Sequence, residues 1–124
     1  LQRNGNLIAT YDLVSKGLSS PQDVCIDPVL QQILITDNNL SSIVFFDMGV
    51  NVIRSVVLDK LDPVPVSLQG ISYDPTNGFY WITYYLPEDW IVLIDHEGRP
   101  QHKFPNTNYT EISNANPTGI AVKI

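Results

Sequence analysis

Apolar residues in this chain fall in short runs, such as Ile33–Ile35, Ile43–Phe46, Phe79–Ile82 and Trp90–Ile94. Segments carrying Asp, Asn, Gly and Pro separate them. Short apolar runs bounded by turn chemistry predict β-strands, and helical periodicity with caps is not found. The runs are rich in Val, Ile, Phe, Tyr and Trp, which suit a pleated, half-buried surface.

The runs recur. Pro21–Pro28, Ile33–Thr36, Ile43–Asp47 and Val52–Leu58 are matched in order by Gln69–Pro75, Phe79–Thr83, Trp90–Asp95 and His102–Phe104. Asp27 and Asp74 stand 47 residues apart, Asp47 and Asp95 stand 48 apart, and Gly49 and Gly98 stand 49 apart. Partial copies lie at Asn116–Val122 and at Asn4–Leu13. Four strands per repeat of this length is the blade pattern of a β-propeller, with a β-sandwich as the alternative. The expected organisation is an outer strand in 1–14, full blades over 20–58 and 68–104, and a further first strand in 116–124. Asp27-Pro28 and Asp74-Pro75 predict one set of turns. Asp47 with Gly49, and Asp95 with Gly98, predict another, the glycines supplying a positive φ. On this reading the four aspartates shape turns rather than act in catalysis.

Composition narrows the function. The chain has 124 residues and a net charge of −6, and 44% of its residues are hydrophobic. An acidic chain without a basic patch argues against nucleic acid as a partner. The apolar runs are too short to span a bilayer as helices. Cys25 is the single cysteine, which excludes an intrachain disulfide and predicts a small buried side chain in a strand. His96 and His102 flank a predicted hairpin and read as surface residues. Asn39-Leu-Ser41 and Asn108-Tyr-Thr110 fit the N-glycosylation pattern, which points to an extracellular or secreted protein.

Two stretches carry candidate chemistry. Tyr84, Tyr85, Glu88, Asp89 and Trp90 combine aromatics with carboxylates, a composition suited to a protein or glycan ligand. The alternative is that Tyr84 and Trp90 end strands and pack between blades. Asp37 and Asn38 read as an Asx turn. Their other reading, joined by Asp23, is oxygen ligation of a divalent cation such as calcium.

Pro21, Val24–Asp27, Ile33–Asp37 and Ile43–Asp47 with Gly49 resemble an NHL repeat. Gly70–Pro75 followed by Tyr80-Trp81-Ile82-Thr83 resembles a YWTD repeat, with Ile82 interrupting the motif and Tyr84 in place of its Asp. The resemblance implies a ring of blades, commonly six, in which further blades or other subunits cover the open sheet edges. It also implies a functional face built from Lys16–Gln22, Asp37–Ser41, Asp59–Gln69, Tyr84–Asp89 and Pro105–Thr118. Propellers of this kind host several activities. Three functions follow as expectations: a non-enzymatic binding or scaffold module, a structural subunit of an extracellular assembly, and part of a metal-dependent lactonase or hydrolase.

Overall fold

A computed structural model describes residues 10–38, 41–84 and 89–105, without the side chains of 104 and 105. The described chain is all-β, as the pattern predicts. Strands β1 (Pro21–Asp27), β2 (Gln32–Asp37), β3 (Ser42–Phe46) and β4 (Val52–Val57) form one antiparallel sheet in sequence order. Strands β5 (Leu68–Asp74), β6 (Phe79–Tyr84), β7 (Trp90–Ile94) and β8 (Pro100–Pro105) form a second with the same order. Among the described residues neither sheet closes on itself.

The strand pattern follows position in the sheet. Central β3 is buried along its whole length, so it reads as an unbroken apolar run. Edge strand β1 alternates exposed and half-buried residues instead.

The repeat is regular in three dimensions. Strand lengths run 7, 6, 5 and 6 residues in both sheets. Bulges recur at Phe45/Phe46 and Leu93/Ile94 in the third pairing, and at the start of β1 and β5. The turns recur as well. Asp27 Oδ1 accepts the N–H groups of Val29 and Leu30, while Asp74 Oδ1 accepts from Thr76. Asp47 Oδ1 accepts from Gly49 and Asn51, and Asp95 Oδ1 from Glu97 and Arg99.

One expected landmark shifts. The left-handed residue of the β3–β4 turn is Val50, at φ 65°, and not Gly49. Val50 N–H bonds to Asp47 O as Gly98 N–H bonds to Asp95 O, so Val50 is the true counterpart of Gly98. A short element follows the first segment. Asp12 Oδ1 accepts the N–H of Val14 and Asp12 O the hydroxyl of Ser15, and this local bonding favours a 3₁₀ turn over Val14–Lys16. Residues 1–9 and 116–124 lie outside the described residues.

The sheets pack face to face with β1 beside β5. Leu34, Ile43, Phe45 and Val56 from the first sheet meet Ile71, Tyr80, Ile82, Val92 and Ile94 from the second. Polar groups stitch the seam. Thr36 Oγ1 accepts Asp23 N–H at 3.0 Å and donates to Gln69 O at 2.9 Å. Ile71 N–H donates to Asp23 Oδ2 at 3.1 Å. The Arg54 guanidinium lies 4.1 Å from the Phe45 ring centroid and donates to His96 O and to Glu97. Tyr80 and Asp27, both buried, share a 2.6 Å bond across the seam.

Candidate functional site

Antiparallel order sends the β2–β3, β4–β5 and β6–β7 connections, with the approach to β1, to one end of the sheets. The Asp-led turns lie at the other end. The first end gathers most of the residues that composition singles out.

Asp37 is buried. Its carboxylate accepts the N–H groups of Ser20 at 2.9 Å and Ser19 at 3.2 Å, fixing the approach to β1. That is a long-range role. Asn38 Oδ1 accepts Leu68 N–H at 2.8 Å, and Asn38 N–H donates to Ser20 O. Asp23 Oδ1 accepts Val24 N–H while its Oδ2 takes Ile71 N–H. The three residues thus hold backbone donors of both sheets. Among the described residues no group of three or more His, Cys, Asp or Glu side chains converges as metal ligands do.

Tyr84 is fully buried, and its hydroxyl donates to Pro63 O at 3.2 Å. Burial raises its pKa to about 12, with the Asp62 carboxylate adding to the effect. Its ring therefore belongs to the core. Trp90 and Asp89 are half-buried. Lys103 caps this region, with Nζ 4.5 Å from the Trp90 ring centroid and bonded to Asp62 O. The Trp90 Nε1–H is buried without a hydrogen-bond partner among the described residues. Tyr85, Glu88, Asn39 and Asn108 lie outside the described residues. An open cleft of about 270 Å³ runs between Lys60 and Asp62 on one side and Pro100–Lys103 of β8 on the other.

The remaining titratable groups play structural parts. Burial, followed by the charges of Asp23 and Asp27, pushes the Cys25 thiol up to about 12, so it stays protonated and is a poor nucleophile. His96 lies at the opposite end, half-buried, with Nε2 2.8 Å from Gly78 O and its ring against Phe79 and Tyr80. It packs rather than standing free at the surface. His102 is exposed and meets the Trp81 ring edge-on.

Sequence reasoning missed Thr36, Arg54 and Lys103. Thr36 had a signal, because Ile35-Thr36 and Ile82-Thr83 recur 47 residues apart. Thr83 Oγ1 accepts Gly70 N–H at 2.9 Å as Thr36 accepts Asp23 N–H. No protein-family model matches the chain, and no curated protein shows significant similarity to it. No helix among the described residues is long and apolar enough to cross a membrane.

Proposed function

We propose that the chain is a stretch of a β-propeller of the NHL/YWTD kind, serving as a non-enzymatic binding or scaffold module outside the cell. One observation carries the reading. The two sheets are equivalent units packed inner strand beside inner strand, with matching connections emerging at a common end. A rigid scaffold that gathers loops at one end is a recurrent way to present a binding surface. Trp90, with the Lys103 ammonium over its ring, and Asp89 next to it in the chain supply aromatic, ammonium and carboxylate groups, and Lys103 also lines the cleft with Lys60. That combination suits a protein or glycan ligand.

A defined glycan array probed with the intact chain tests the reading. The expected result is selective retention that Asp89→Ala weakens and that Glu97→Ala, at the opposite end, leaves unchanged. Retention that depends on Glu97 and ignores Asp89 places binding at the wrong end and contradicts the proposal. Retention of no glycan removes sugar from the reading and leaves a protein ligand.

A further inference from the structure

The outward face of the second sheet is buried at positions where an open face would be wet. Successive residues of a strand point to opposite faces. Trp81, Thr83, Ile91, Leu93 and His102 therefore lie on the side away from Tyr80, Ile82, Val92 and Ile94, which meet the first sheet. Thr83 is 1% exposed, and Ile91 and Leu93 are each 7% exposed. Trp81 and His102 pair on either side of Leu93, and their rings meet edge-on. Thr83 and Ile91 form a pair two residues further along, away from those rings. Among the described elements, contacts between the sheets run mainly through β1 and β2 with β5, on the other side of the second sheet.

The repeat shows what buries such positions. The counterparts of Thr83, Ile91 and Leu93 on the first sheet are Thr36, Ile43 and Phe45, all buried. There β5 is the cover. Ile71 is buried in one cluster with Ile43 and Phe45, and Thr36 Oγ1 donates to Gln69 O of the same strand. A third copy of the β5 sequence follows β8. Leu68-Gln69-Gly70-Ile71-Ser72-Tyr73 is matched by Pro117-Thr118-Gly119-Ile120-Ala121-Val122, as it is by Pro21-Gln22-Asp23-Val24-Cys25-Ile26. The spacing fits as well. Residues 58–67 join β4 to β5, and 106–116 lead from β8 to Pro117, one residue longer.

We infer that the outward face of the second sheet is a docking surface for segment 117–123 of this same chain, which lies outside the described residues. The inference rests on the repeat reading above. Ile120 takes the part of Ile71, over Ile91 and Leu93. Thr83 Oγ1 accepts Gly70 N–H as Thr36 Oγ1 accepts Asp23 N–H, and it donates to Thr118 O as Thr36 donates to Gln69 O. One tie is not reproduced. Asp23 takes Ile71 N–H across the first seam, and Gly70 stands in its place at the second. The second seam relies on the threonine and on apolar contact.

Acrylamide quenching of Trp81 fluorescence in the intact chain tests this, in a Trp90→Phe background that leaves Trp81 as the single tryptophan. Ile120→Asp raises quenching toward the level of the chain in denaturant, and Ile120→Ala raises it less. Ile8→Asp, in the partial copy at the other end, leaves it unchanged. Circular dichroism melts establish that the variants fold, and where Ile120→Asp does not, Ile120→Ala decides. Quenching that ignores the substitutions at 120 overturns the inference. So does quenching that responds to Ile8→Asp alone, which puts the other partial copy on this face. Quenching that falls as the chain is concentrated makes the cover a second copy and overturns it too. Unchanged quenching with the Asp27–Tyr80 coupling described in the Discussion retained sinks this inference alone, whereas loss of that coupling sinks the repeat reading beneath it.

Discussion

Val50 and Gly98 occupy the same place in successive repeats, both with left-handed backbone, at φ 65° and 78°. Gln31 and Gly78 are a second such pair, at 55° and 76°. The second repeat therefore uses glycine at both of these positions, and the first uses residues with a Cβ that disfavours them. Gln31 is exposed and bears no packing duty. Gln31→Gly should gain about 1 kcal/mol by relieving that conformation. Gly98→Ala should lose at least as much, because a Cβ there meets Val56 Cγ1 at 3.0 Å and Leu58 Cδ2 at 3.1 Å. Urea unfolding of the two variants checks both signs. Val50→Gly should gain less than Gln31→Gly, since Val50 also packs against the cluster of Leu18, Ile35, Val44 and Phe46.

Thr36 is the polar hinge of the seam between the sheets. Thr36→Val leaves Asp23 N–H without its acceptor and Gln69 O without its donor. The expected cost is about 2 kcal/mol, with Thr36→Ser recovering most of it. Thermal melts of the pair separate a lost hydroxyl from lost packing.

Acid should destabilise the chain through the turn aspartates. Bonds from the Thr76 hydroxyl, its N–H and the Trp81 indole hold Asp74 below the usual carboxylate range. The Asn51 N–H and amide, with the Gly49 N–H, do the same for Asp47. At Asp95 burial pulls the other way, and the Arg99 N–H and guanidinium with the Glu97 N–H outweigh it. The unfolded chain then binds protons more readily than the folded one. Stability is complete above the ordinary Asp pKa of about 3.9 and falls as pH drops through the lower folded values. Urea midpoints measured from neutral pH downward should stay level and then decline, and Asp74→Asn should flatten the decline.

Alkali should act through the opposite shift. Cys25 and Tyr84 are each raised to about 12, and burial followed by the bond to Asp27 raises Tyr80 as well. These groups ionise first in the unfolded chain, so stability should fall as pH rises above about 8.5 for the thiol and about 10 for the phenols. Thiol alkylation at pH 8.5 should be slow in the native protein and fast in denaturant. Rapid native labelling would contradict the placement of Cys25.

The strands were legible as short apolar runs bounded by turn chemistry. The unbroken run Ile43–Phe46 announces a strand covered on both faces, whereas the exposure of Val24 and Ile26 on edge strand β1 is not marked in Val24-Cys25-Ile26, which is itself an unbroken apolar run. The Asp-Pro turns were legible because their bonds are local. The left-handed valine was not, since the adjacent Gly49 is the more obvious candidate for a positive φ. Asp37 and Asn38 carry ties that were hidden for a related reason. Their partners, Ser19, Ser20 and Leu68, are distant in sequence, so only the folded chain shows them. Tyr84 illustrates a further limit. An aromatic at a strand end has the same sequence signature whether it faces a ligand or the core, and here it closes the core beneath Pro63.

The central claim is that the two sheets are successive units of one repeat, packed through the seam that Asp27 and Tyr80 cross. A double-mutant cycle on Asp27→Ala and Tyr80→Phe tests it most directly, because the turn that Asp27 also shapes is lost in both legs and cancels. The bond is buried and 2.6 Å long, with a carboxylate acceptor. The predicted coupling is about 1.5 kcal/mol or more. A coupling within about 0.3 kcal/mol of zero would mean that the two residues do not meet, and would contradict the packing of sheet on sheet.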